Sequence, residues 1–130
     1  MPLSQQRRFP RRKTSVRASR DFVDHVLTGW RMTPLVEDIK LCVSELATNA
    51  LLHGVPPGRE FSVYLSATDD VVRLAVRDSG GGQPVVRESD SESGSGRGLF
   101  LAEQLATELG VDQHVVGKTV WVAFQRPAVP

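Results

Sequence analysis

Two segments of this 130-residue chain, REFSVYLSA and VVRLAVR, are separated only by Thr68-Asp69-Asp70, a pattern that predicts a β-hairpin. A hairpin needs a covering layer, and the order of the remaining segments supplies one. Upstream, TSVRASRDFVDHVLTGW predicts a helix over about 15–29, capped by Thr14 or Ser15, with Val16, Phe22, Val23 and Val26 on its apolar face. A second helix is predicted over about 35–53, ending at Gly54, where Pro56 and Pro57 prevent continuation. After the hairpin comes a stretch of about 20 residues rich in Gly, Ser and acids, long enough to imply a functional loop. A third helix follows over about 98–109 with Gly110 just past its end, then strand candidates around 111–116 and 118–125. Helices gather toward the N-terminal half and strands toward the C-terminal half. That order predicts an α+β fold, a two-layer sandwich with helices on one face of a mixed, mostly antiparallel sheet.

The net charge of +1 hides an asymmetry. Residues 1–20 carry Arg7, Arg8, Arg11, Arg12, Lys13, Arg17 and Arg20 and no acid; taking these seven from 16 basic residues leaves nine against 15 acids, so the remainder carries about −6. Residues 1–13 are read as a basic arm, partly mobile and able to contribute a first strand; 14–126 as a single domain; 127–130 as a tail. No basic patch or aromatic platform recurs further along, so direct nucleic-acid binding is not expected. No apolar run approaches the roughly 20 residues that cross a bilayer, and no apolar stretch follows the basic start as in a signal peptide. The lone cysteine, Cys42, reads as a small buried thiol. A cytoplasmic protein without membrane contact is the expectation.

Two familiar phosphate motifs fail. Gly94, Gly96 and Gly98 give G-x-G-x-G rather than the dinucleotide fingerprint, and the preceding RESDSES is no strand. Gly117-Lys118-Thr119 ends like a P-loop, but Asp112 stands where its first glycine belongs, and VWVAF after it is a strand. Three other pieces remain. In the second helix Glu45 and Asn49 share one face, with Asp38 near that stripe, while Val36, Ile39, Val43, Leu46 and Ala50 gather on the opposite side, toward the sheet. Asp78 ends the VVRLAVR strand and is followed by Gly80, Gly81 and Gly82. Gly94-Ser95-Gly96-Arg97-Gly98 opens a helix whose free N–H groups suit phosphate. Singly these read as a solvated helix face, a turn and a loop.

In this order they resemble the boxes of the GHKL ATPase superfamily, and with them the Bergerat sandwich fold. Glu45-Leu46-Ala47-Thr48-Asn49-Ala50 resembles its N box, Asp78-Ser79-Gly80-Gly81-Gly82 its D-x-G-x-G box, and Gly94-Ser95-Gly96-Arg97-Gly98-Leu99 its second glycine box. The compact anti-sigma factor serine/threonine kinases are most similar: ELATNALLHG closes the second helix, the chain is short, and GKTVWVAF ends it. The resemblance covers about residues 9–125. It implies ATP and Mg²⁺ as ligands, with Asn49 offering its amide oxygen to the metal and Glu45 accepting the proton of an attacking hydroxyl. It implies that Asp78 accepts a hydrogen bond from the adenine amino group, helped by Thr119 through a water, and that Gly80 and Gly82 let the backbone approach the base. Residues 83–97 would close over the phosphates, with Gly94, Gly96 and Gly98 as hinges and Arg97 and Leu99 at the box. Thr119 equally suits a strand as a β-branched residue, and His53 equally suits a helix end, where the dipole favours an imidazolium.

The function implied is an ATP-binding anti-sigma regulatory factor. It would phosphorylate a serine on a STAS-type anti-anti-sigma partner and sequester a sigma factor, with a homodimer implied as well. Kinase relatives tend to carry a basic residue before the second glycine box. Here Glu92 and Ser93 stand there, with Arg87 and Arg97 nearby, so a non-catalytic, ATP-dependent partner-binding module is the alternative. A histidine kinase catalytic domain ranks third, because only one short helix, carrying His25, precedes the second helix.

Overall fold

The structure is a computed structural model, and it describes residues 2–54, 59–78 and 94–127. Strand β1 spans Leu3–Pro10, helix α1 Thr14–Gly29, helix α2 Val36–Asn49, strand β2 Glu60–Ala67 and strand β3 Val71–Asp78. Helix α3 (Gly94–Leu105), strand β4 (Glu108–Gln113) and strand β5 (Lys118–Gln125) follow among the described residues. The five strands form one sheet in the order β1-β2-β3-β5-β4, with every neighbouring pair antiparallel. The sheet expected to be mixed but mostly antiparallel is antiparallel throughout its described pairs.

Side chains alternate across each strand, and one face is covered by helices. Phe61, Val63, Leu65 and Ala67 of β2, Val72, Leu74 and Val76 of β3, and Val120, Val122 and Phe124 of β5 all point into one core. Helix α2 closes that core with Val36, Ile39, Val43 and Leu46, and Ala50 just past its end continues the stripe, all buried, the helix face expected from the wheel. Each Val, Ile or Leu side chain contributes about 1.5–3 kcal/mol by leaving water, so α2 is held by its apolar stripe more than by intrinsic propensity. Helix α1 adds Val23, Val26 and Leu27, with Val16 and Phe22 partly buried against them.

The basic arm is an edge strand. Residues 3–10 pair with β2 along their whole length, from Leu3 opposite Ala67 to Pro10 opposite Glu60. Phe9 anchors it, stacked on Phe61 at 5.7 Å and meeting the edge of Phe22 at 6.2 Å. The charges of the arm stay outside: the Arg8–Glu60 contact is 4.0 Å between exposed groups and contributes little. Ser15 does not cap α1. Its hydroxyl is buried and donates to the Pro10 carbonyl at 2.6 Å, which ties the helix start to the strand end.

Helix α1 stops in a C-terminal motif that the sequence does not advertise. Met32 N–H donates to Leu27 O and Arg31 N–H to Thr28 O, with Arg31 at φ 62 where a glycine is the usual occupant. Buried Met32 sits beside Leu27 and supplies the hydrophobic contact that stabilises such an ending.

Two boundaries move at the C-terminal end. Helix α3 begins at Gly94 and ends at Leu105, whereas the sequence predicts about 98–109. Gly110 is no helix stop; it is the third residue of β4, opposite Trp121. A Cβ at Gly110 would drive into the Trp121 indole, which lies over the glycine from the paired strand and leaves no room for a side chain unless the ring moves. The Arg73 guanidinium covers the same ring from β3, 4.8 Å from its centroid. Gly110→Ala should destabilise the fold by about 1–3 kcal/mol, the usual cost of overpacking, as read by denaturant unfolding. An unchanged midpoint would contradict this account of the β4–β5 contact.

Candidate functional site

Helix α2 carries two chemistries on opposite sides. Glu37 and Asp38 occupy its first turn, where the helix dipole favours acids. Its apolar stripe lies on the sheet, so Glu45 and Asn49, one turn apart, are left half-buried on the other side. Asn49 is the last residue of the regular helix. The backbone then widens into a π-type turn over Ala50–Gly54, a rare form that concentrates at functional sites. Both α2 and this turn pack against β3, and α2 also packs against α3. Glu45 and Asn49 thus belong to a helix that packs on the strand ending in Asp78.

Asp78 is the most informative residue of the sheet. It is only 4% exposed, and it points to the helix-covered side because it continues the Val72, Leu74, Val76 alternation. A charge so buried needs partners, and Lys118 supplies two. The Lys118 backbone N–H donates to Oδ1 at 3.1 Å, and its ammonium donates to Oδ2 at 3.0 Å. The lysine side chain is 20% exposed. Removing one partner from such a buried pair costs about 3–5 kcal/mol, far above the value of a surface ion pair.

Thr119 is not brought to Asp78. Next to Lys118 in β5, it alternates to the outer face of the sheet, where its Oγ1 lies 2.8 Å from His114 Nε2. That contact clasps the β4–β5 connection, where Gly117 takes φ 81, a left-handed conformation that suits glycine. The residue that the structure places against Asp78 is Lys118, read from sequence only as part of a failed P-loop. The signal was the two-residue period of β5. It was hidden because VWVAF is apolar at every position, on both faces of the sheet.

The other anticipated residues fall in known places or outside the described ones. His53 lies half-buried in the π-type turn. Gly94, Gly96, Arg97, Gly98 and Leu99 all belong to α3, so the second glycine box forms the first turns of a helix rather than the loop before it. Glycine costs about 1 kcal/mol relative to alanine inside a helix, which is why the sequence places the start later. Gly80, Gly82 and most of the segment 83–97 lie outside the described residues. Among the described residues no helix is long and apolar enough to cross a membrane.

Comparison with known proteins gives this geometry a family. The sequence profile of the histidine kinase-like ATPase domain matches residues 9–124. This chain belongs to that family. Among its relatives are the anti-sigma F factor of Priestia megaterium, 34% identical over 97 residues, and that of Shouchella clausii, 32% identical over 109 residues. These alignments cover 65% and 73% of this chain, and 66% and 75% of the relatives. The chain spans 58% of the Bacillus licheniformis anti-sigma F factor, at 33% identity, so it covers less than two thirds of several such relatives. Among solved structures, the RsbU and RsbW domains of a Mycobacterium tuberculosis protein share the fold, with a TM-score of 0.66 and 23% identity. That match covers 98% of this chain and 34% of the other. The resemblance carried by the three sequence boxes is met at the level of family and fold.

Cys42 is buried on α2 between the core and the polar stripe. Burial first, then the negative charges of Asp38 and Glu45, push its thiol from 9.0 up to about 12. The folded value is raised, so the stability this neutral thiol lends is present below 9.0 and is lost as pH rises from there through about 12. Near neutral pH a thiol reagent should label Cys42 only as fast as the chain unfolds. Rapid labelling of the native protein would contradict its burial as a neutral group.

Proposed function

We propose that this chain is an ATP-dependent anti-sigma regulator that transfers a phosphoryl group to a serine of an anti-anti-sigma partner and sequesters a sigma factor. The observation that carries the reading is a buried carboxylate at the end of β3, the strand against which the helix that carries Glu45 and Asn49 packs. The names of the relatives, anti-sigma F factors, point to a sigma factor as one partner; the serine-bearing partner rests on the resemblance of the sequence boxes. The residues fit a magnesium nucleotide. Asp78 offers an acceptor in a dry setting, suited to the amino group of adenine, and Asn49 offers a hard amide oxygen suited to Mg²⁺. Mg²⁺, when bound, would neutralise phosphate charge.

Glu45 has the chemistry of a general base. Its carboxylate would take the proton of the serine hydroxyl as that oxygen bonds to the terminal phosphorus and the bond to the nucleoside diphosphate breaks. Glycines 94, 96 and 98, with Gly80 and Gly82, would let backbone approach the phosphates and ribose, while Arg97 would balance their charge. A regulator of this kind works in the cytoplasm, where a sigma factor is met. The second reading, a partner-binding module that uses ATP without turnover, is favoured by Glu92 ahead of the second glycine box, an acid that would face a triphosphate.

Glu45 separates the two. Glu45→Ala should keep ATP affinity within a few-fold and lower phosphoryl transfer to the partner by about 10²-fold or more, measured with ATP labelled on its terminal phosphate. Equal transfer by both proteins would overturn the role of Glu45, and no transfer by the unsubstituted protein would favour the binding module. Asp78→Asn should abolish ATP binding in calorimetry while the chain remains folded; retained binding would overturn the adenine assignment.

A further inference from the structure

The Asp78–Lys118 pair does more than settle a buried charge, given the reading of this site as one for ATP. We propose that Lys118 is a second base-reading residue, donating through its ammonium to the ring nitrogen of adenine beside the amino group that Asp78 accepts from. The argument starts from register. Arg77 lies opposite Thr119, so Asp78 and Lys118 are the next cross-strand neighbours, both on the helix-covered side at the end of the sheet. One hydrogen bond of 3.0 Å occupies one ammonium donor, and the carboxylate spends one lone pair on the ammonium and one on the Lys118 N–H. Each group keeps capacity for a ligand: the ammonium as donor, the carboxylate as acceptor.

An acceptor and a donor held side by side match a complementary edge. Adenine presents an amino donor next to the N1 acceptor, the order that Asp78 followed by Lys118 requires. Guanine presents a carbonyl at the place of that amino group and an N–H at N1, which sets acceptor against acceptor and donor against donor. A different role for Lys118, an internal plug that the base must expel, is disfavoured by charge. Expulsion would strip a carboxylate that is 4% exposed of its cation, and a neutral amino group returns much less than an ammonium. Lys118 thus stays in place and touches the base.

The test is a titration of the protein with ATP and with 1-deaza-ATP, which lacks the N1 acceptor and keeps the amino group. The unsubstituted protein should bind 1-deaza-ATP about tenfold or more weakly than ATP, the ordinary value of a hydrogen bond to a charged donor. Lys118→Met should bind the two nucleotides alike. ATP binding by the unsubstituted protein with no discrimination would overturn this inference alone, as would discrimination that persists in the variant. Failure to bind either nucleotide would overturn the ATP reading together with it. A second measurement needs no variant. Saturating ATP should slow acylation of the Lys118 amine relative to Lys13 and Lys40, whereas faster acylation would mark expulsion and overturn the proposal.

Discussion

The register between β3 and β5 is the constraint on which the rest of the molecule depends. Because side chains alternate strictly, a slip of one residue would move Val120, Val122 and Phe124 out of the core and expose them to water. The same slip would separate Asp78 from Lys118 and bring Thr119 in its place. Apolar burial therefore fixes the pairing, and the pairing fixes the chemistry at the sheet's end. The core stabilises the charge indirectly, by setting the pairing that holds the carboxylate against the ammonium.

Helix α2 extends the same logic to the site's other wall. Its stripe of Val36, Ile39, Val43 and Leu46 faces the sheet and so determines where Glu45 and Asn49 face. The regular helix ends at Asn49, and the π-type turn carries the chain past β3, the strand that ends in Asp78. A kinase or a nucleotide-gated binding module can be built on this wall. The difference lies in whether Glu45 moves a proton, not in the fold.

Much of this was legible in the sequence, for identifiable reasons. The hairpin of β2 and β3 was plain because alternation and a three-residue polar connection coincide, and the sheet-facing stripe of α2 because five apolar residues keep helical spacing. The family was legible because three motifs recur in order, each weak alone. Other features resisted. The edge strand β1 is rich in arginine and glutamine, and only Phe9 marks its buried face. The start of α3 was masked by glycines that packing against α2 overrides, and Gly110 looked like a helix stop because nothing local announces Trp121 across the strand. Lys118 was hidden by an apolar strand without visible alternation.

The central claim is that this sandwich holds a nucleotide through magnesium. Isothermal titration of the protein with ATP, with and without Mg²⁺, tests it most directly. Binding that tightens markedly when Mg²⁺ is added is the predicted result. Absence of binding under both conditions would contradict the claim and leave a scaffold that recognises its partners without nucleotide.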